Sequence, residues 1–173
     1  MLVILAGLPG TGKTTIARAL TREIDAVHLR VDTIEQAVVR AGAGSHPLGP
    51  VGYVIAYALA EDLLRQGLTV VAESVNPVHE TRQAWRDVAR AARADHLDVE
   101  VVCSDPAEHE RRAANRASDI PDLPLPTWSD ITGRDYQPWD RNRLVLDTAR
   151  RTVADCVATV RDLLHGSRAA PTG

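Results

Sequence analysis

Near the start of the chain, Gly7-Leu8-Pro9-Gly10-Thr11-Gly12-Lys13-Thr14 packs three glycines and a proline between an apolar run and a helical pattern. A backbone this rich in glycine turns sharply and can aim several N–H groups at one point. Leu2–Ala6 before it is short and wholly apolar, the pattern of a parallel strand covered on both faces. After it, Ile16, Ala17, Ala19 and Leu20 fall on one side of a helix over Thr14–Glu23.

The alternation of strand and helix continues along the chain. Val27–Val31 alternates and reads as a second strand, and Asp32-Thr33-Ile34-Glu35 has the form of a capping box opening a helix to about Arg40. Glycines and prolines make Ala41–Gly52 a loop. A helix over Val51–Gln66, stopped by Gly67, leads to a third strand at Leu68–Ala72. His79–Arg93 places Trp85, Val88, Ala89 and Ala92 on one helical face, and Leu97–Cys103 is a fourth strand. Pro106–Asn115 is an arginine-rich helix, and Pro121, Pro124 and Pro126 forbid helix after it. Leu144–Leu146 gives a fifth strand. Val153, Cys156, Val157, Val160, Leu163 and Leu164 stripe a last helix, and residues 167–173 read as a frayed tail. A length of 173 residues at 45% hydrophobic content suits a single domain over residues 1–166 with one sizeable core. The expected architecture is α/β in three layers: a five-stranded parallel sheet, helices on both faces, and an arginine-rich lid at about 111–128.

Composition excludes several classes of function. A net charge of −3 gives no general nucleic-acid or acidic-membrane surface, and no run is long enough to span a bilayer. A cytoplasmic protein is expected. Cys103 and Cys156 lie far apart in apolar runs, as buried reduced thiols do. The six histidines lack zinc-ligand spacing. Of 20 lysines and arginines, only Lys13 is lysine, and it falls inside the glycine turn.

That turn matches G-x-x-x-x-G-K-[ST] at every fixed position, in the strand-to-helix context the pattern requires. Amides from Gly7, Gly10, Thr11 and Gly12 would converge on phosphate oxygens at the positive end of the following helix. Lys13 would neutralise the β/γ-phosphates, Thr14 would place its hydroxyl on Mg²⁺, and Thr15 adds a phosphate contact. Glu73, directly after the third strand, is placed to hold Mg²⁺ through water; otherwise it is an exposed strand-end residue. Asp32, after the second strand, can take a proton from an attacking hydroxyl, which contributes roughly 10²–10⁴ in rate. It can equally cap its helix for about 1 kcal/mol, and the two roles are compatible. Arg111, Arg112 and Arg116 precede the proline segment; Arg112 and Arg116 share a helical face and are the pair expected over a transferring phosphoryl group, with a solvated helix face as the rival reading. Asn76 and Arg82 either orient an acceptor or serve helix entry. Tyr53, Tyr57, Trp128, Tyr136 and Trp139 are expected to pack.

With Gly7–Thr14, Asp32, Glu73-x-x-Asn76 and Arg112-x-x-x-Arg116 in view, the chain resembles the small P-loop kinases. That group includes polynucleotide 5′-hydroxyl kinase domains, chloramphenicol phosphotransferase, gluconate kinase and the zeta-toxin kinases. The resemblance runs from Leu2 to about Leu164 and implies the P-loop NTPase fold. It also implies ATP and Mg²⁺, and a γ-phosphoryl group passed to a hydroxyl activated by Asp32. Val71-Ala72-Glu73-Ser74-Val75-Asn76 stands where similar proteins carry Val-Val-Asp-Ala-Thr-Asn, so Glu73 replaces the commoner Asp. The resemblance further implies that Asp147-Thr148-Ala149 borders the nucleotide base. It does not name the acceptor: a small molecule is favoured, and a nucleic-acid 5′ end less so because the chain is acidic. The contrasting readings are a nucleotide-binding switch or slow ATPase, and a scaffold that binds ATP without turnover.

Overall fold

The computed structural model describes residues 1–168. Five strands, β1 (Leu2–Ala6), β2 (Val27–Arg30), β3 (Val70–Glu73), β4 (His96–Val102) and β5 (Leu144–Asp147), form one sheet in the order β2-β3-β1-β4-β5. Every pairing is parallel. The helices are α1 (Lys13–Glu23), α2 (Val31–Arg40), α3 (Val51–Arg65), α4 (His79–Ala91), α5 (Pro106–Ala114), α6 (Trp128–Thr132) and α7 (Val153–Arg168). All five residues of β1 are fully buried, as its unbroken apolar run requires of a central strand. Alternate side chains then feed two cores. Val3 and Leu5 meet α1 and α7 through Ile16, Leu20, Cys156 and Val160. Leu2 and Ile4 meet the opposite helices through Ala56, Ala60, Trp85 and Ala89. The three-layer P-loop NTPase fold is therefore the observed one. Because β1 lies between β3 and β4, the chain switches direction around it, and the carboxyl ends of β1, β2 and β3 gather on one side, where such sheets bind ligands.

Several boundaries differ from the sequence expectation, each for a physical reason. The capping box at Asp32–Glu35 does not form. Val31 is 2% exposed and joins the core, so the helix starts there; Arg30 takes the cap position with no side-chain cap bond, and Asp32 sits inside the first turn. A true capping box occurs instead at Thr127, whose hydroxyl accepts from the Asp130 amide while the Asp130 carboxylate accepts from the Thr127 amide. It opens α6, a helix too short to show periodicity. At the other end α7 runs to Arg168, past the expected tail boundary; residues 169–173 of that tail lie outside the described residues. Cys156 is buried and Cys103 only partly so, and both are free thiols.

Of the two roles open to Asn76 and Arg82, the structure shows contacts of the second, at the entry to α4. Arg82 is fully buried in α4 and donates Nε to the Asn76 carbonyl (2.9 Å), Nη1 to Pro138 (3.0 Å), and Nη2 to Gln137 (2.8 Å) and Pro77 (3.2 Å). Its guanidinium also lies 4.3 Å from the centre of the Trp139 ring and 5.1 Å from that of Tyr136. Asn76, equally buried and left-handed at φ 50°, accepts the Trp85 indole N–H at 3.0 Å. Neither residue lines the cleft described below. They staple α4 and the segment before β5 to the end of β3. Arg82→Met should leave four carbonyls without this donor set and lower the unfolding free energy by about 3 kcal/mol or more. A urea titration would show it as a lower midpoint at unchanged slope.

Candidate active site

The glycine turn is built into the sheet and held from behind. Gly7 donates its amide to the Val75 carbonyl at 3.2 Å and has φ 141°. Gly10 and Gly12 also have positive φ, 85° and 96°, which lets the loop curl above the start of α1. The Thr11 hydroxyl donates to the Leu8 carbonyl at 2.9 Å, and so does the Lys13 ammonium, also at 2.9 Å. From outside, His109 of α5 is 7% exposed and donates Nε2–H to the Pro9 carbonyl at 2.8 Å. The Thr148 hydroxyl, just after β5, donates to the Thr11 carbonyl at 2.9 Å and accepts from Arg112 Nη1 at 2.9 Å. Thr148, expected beside a nucleotide base, thus braces the loop from behind, and it does not line the cleft described below.

Lys13 is 8% exposed. Burial pushes its ammonium down to about 8 from 10.5, although Glu73 and Asp32 pull the other way. The folded chain therefore holds this charge at a cost below pH 8, and that cost disappears as pH rises from 8 toward 10.5, where only the unfolded chain still binds the proton. Phosphate oxygens beside Nζ would reverse the shift. ATP binding at pH 9 should then take up close to one proton, and far less at pH 7. Calorimetry in buffers of different ionisation heat measures that uptake, and Lys13→Met should abolish it.

Glu73 ends β3 at 3% exposure, so it is no surface residue. Its Oε1 accepts the Thr14 hydroxyl at 2.5 Å and its Oε2 lies 2.8 Å from His28 Nε2. Burial alone would push its carboxyl up; the His28 bond, the charge of Lys13, and Thr14 and Arg30 together hold it below the ordinary range. A buried carboxylate bonded to the P-loop threonine hydroxyl is a hard-oxygen pair of the kind that suits Mg²⁺.

Beside Glu73, Arg30 is 7% exposed and faces three carboxylates. Its Nη1 bonds Asp119 at 2.9 and 3.0 Å, its Nη2 is 3.5 Å from Asp32, and its Nε is 3.9 Å from Glu73. Asp119 also pairs with Arg18 of α1. Burial opposes ionisation of Asp119, but the hydrogen bonds from Arg30 and Arg18 bring it to about 2. This network fastens the proline segment to β2 and α1. Sequence reading passed over it, although His28 and Arg30 alternate with Val27 and Leu29 at the polar end of an edge strand. It also passed over His109.

These parts enclose one cleft of about 1090 Å³. One part is lined by Gly10, Gly12, Lys13, Thr14 and Thr15 together with Arg112 and Arg116. The other part is lined by Asp32, Glu35, Tyr53, Ser74, Pro124 and Arg134. Arg111 is exposed and pairs with Glu108 at 2.7 Å, outside the cleft, while Arg112 reaches the same Glu108 from the cleft side at 2.7 Å.

A family model described as "AAA domain" matches residues 2–138. The chain belongs to this family of P-loop kinases. The probable adenylyl-sulfate kinase of Aeropyrum pernix is 27% identical over 176 residues, covering 95% of this chain and 92% of that protein. Two solved structures show the same fold. A putative kinase from Chloroflexus aurantiacus superposes with a TM-score of 0.75 at 22% identity, over 95% of this chain and 96% of its own. The APS kinase of Mycobacterium tuberculosis, in complex with AMPPNP and APS, gives 0.66 at 20% identity, again over 95% and 96%. The fold of this P-loop kinase is thus shared along nearly its whole length. No described helix is long and apolar enough to cross a membrane.

Proposed function

We propose that the protein is an ATP- and Mg²⁺-dependent kinase that transfers the γ-phosphoryl group to a hydroxyl of a small molecule. The observation that carries this reading is that Asp32, after β2, shares one cleft with Lys13 and Thr14, while Arg112 enters it from α5, after β4 on the other side of β1. Gly10, Gly12 and Thr15 present amides or hydroxyl to the phosphate tail, Gly7 and Thr11 spend their donors on Val75 and Leu8 and so shape the loop instead, and Lys13 neutralises the outer phosphate oxygens. Thr14 and Glu73 would hold Mg²⁺, which when bound offsets charge on the β- and γ-phosphates. Asp32, with its side chain 38% exposed, accepts the proton of the acceptor hydroxyl. The acceptor oxygen bonds to the γ-phosphorus as the bridging bond to the β-phosphate breaks, and ADP leaves. Arg112 and Arg116 lie over the charge that spreads on the transferred oxygens. Arg112 is already fixed by Glu108 and Thr148, whereas no hydrogen bond or ion pair to a described residue holds Arg116. Arg116 is therefore the one free to follow the phosphate.

The test is a screen of hydroxyl compounds with labelled ATP and Mg²⁺, run beside Lys13→Ala. The compounds span polyols, amino sugars, nucleosides, an oligonucleotide with a free 5′-hydroxyl, and adenylyl sulfate, the last prompted by the Aeropyrum relative's name. Transfer to one class by the parent chain alone supports the kinase. ATP hydrolysis with no acceptor phosphorylated would favour the ATPase or switch reading instead.

A further inference from the structure

The part of the cleft lined by Asp32 and Glu35 has a chemistry that phosphate binding does not use. Glu35 follows Asp32 by three residues on α2, so both carboxylates lie on one helical face with Cβ atoms about 5–6 Å apart. Both line the cleft. Glu35 also has a seat prepared for it. A Cβ on Gly52, in the first turn of α3, would lie 2.2 Å from Glu35 Cγ and 2.7 Å from its Oε1, so that turn of α3 accommodates Glu35 only as glycine. Despite this seat, no hydrogen bond or ion pair to a described residue engages the Glu35 carboxylate. Burial, and then the charge of Asp32, push its carboxyl up, and Arg134 facing it from beyond α6 pulls the other way.

A second, independent observation lies across the cleft floor. Ser74 is 4% exposed and lines the cleft, and its buried Oγ engages no partner at good hydrogen-bonding geometry. The neighbouring Tyr53 oxygen accepts the Asn76 amide at 3.1 Å and faces the Ser74 hydroxyl, so one O–H of the Tyr53–Ser74 pair is left to donate to a ligand. The site thus offers two carboxylate acceptors on one wall and hydroxyl groups on the floor. An acceptor carrying an anion beside α2 would stand against like charges on Asp32 and Glu35, with Arg134 across from them as the opposing cation.

We propose that Glu35 is the acceptor-recognition residue, and that the acceptor is a polyhydroxyl compound, neutral or bearing an ammonium group, with the reacting hydroxyl on Asp32 and a second hydroxyl or the ammonium on Glu35. This rests on the kinase reading above. In the test, the best acceptor from the screen is used to measure its KM, the KM for ATP and kcat for the parent chain, Glu35→Gln and Gly52→Ala. Glu35→Gln removes the charge at equal size; Gly52→Ala keeps the charge and displaces the side chain. Each should raise the acceptor KM on the order of tenfold, the loss typical of a hydrogen bond to a charged group, with the ATP KM unchanged. An anionic acceptor, an acceptor KM indifferent to both variants, or a parallel rise in the ATP KM marking a merely structural role would each overturn the assignment while leaving the kinase standing. Transfer to no compound at all would instead sink the kinase reading on which it depends.

Discussion

Asp32→Asn should lower kcat for phosphoryl transfer by roughly 10²–10⁴ while leaving ATP binding within a factor of about two. The amide keeps the shape of the carboxylate and loses its capacity to take a proton. The change need not disturb the fold, since Asp32 makes no cap bond and touches Arg30 only at 3.5 Å, where Asp119 already supplies the shorter contacts. The measurement is single-turnover transfer at saturating ATP, beside a nucleotide-binding titration of the same variant. A variant that bound ATP and retained full turnover would remove Asp32 from the chemistry.

A second large effect is expected at Gly7, on stability as well as on activity. A Cβ there would lie 2.2 Å from the Val101 carbonyl oxygen, an atom of the β4 backbone that cannot move without breaking the sheet. At φ 141° any L side chain is strained besides. Overpacking of this kind costs about 1–3 kcal/mol and the backbone strain a similar amount. Gly7→Ala should therefore lose a large part of a stability that for domains this size is only about 5–15 kcal/mol. Gly12→Ala makes an instructive contrast. Its Cβ would meet the Thr148 side chain no closer than 3.5 Å, an ordinary contact, so only the strain at φ 96° remains. Thermal melts should rank Gly7→Ala far below Gly12→Ala, while both lose affinity for ATP.

The central strand, the P-loop and the order of elements were legible because each is written in local pattern. Leu2–Ala6 can only be a doubly covered strand, and Gly7–Thr14 is a contiguous motif whose residues need no distant partner to be recognised. The site's remaining parts depend on pairings across the chain. Arg30 and Asp119 are 89 residues apart, and His109 and Pro9 are 100 apart. Nothing in either local sequence announces the other. Asn76 and Arg82 stayed open between two roles for a related reason: their spacing after β3 fits an acceptor contact as well as helix entry, and only the arrival of Gln137, Pro138 and Trp139 from a remote segment turns Arg82 inward. Asp32 and Glu35 have cap-box spacing, but burial of Val31 shifted the helix start and left both carboxylates facing the cleft.

The arginine bias of the chain gives the Lys13 ammonium an unusual chemical solitude. With a single lysine in 173 residues, and that one brought down to about 8, an acylating reagent at mildly alkaline pH meets one side-chain amine, besides the α-amino group, and finds it partly deprotonated. One added mass on the peptide carrying Lys13 would thus report how much of the protein has its phosphate cradle open, and titration with ATP would read occupancy directly from the protein's own covalent record.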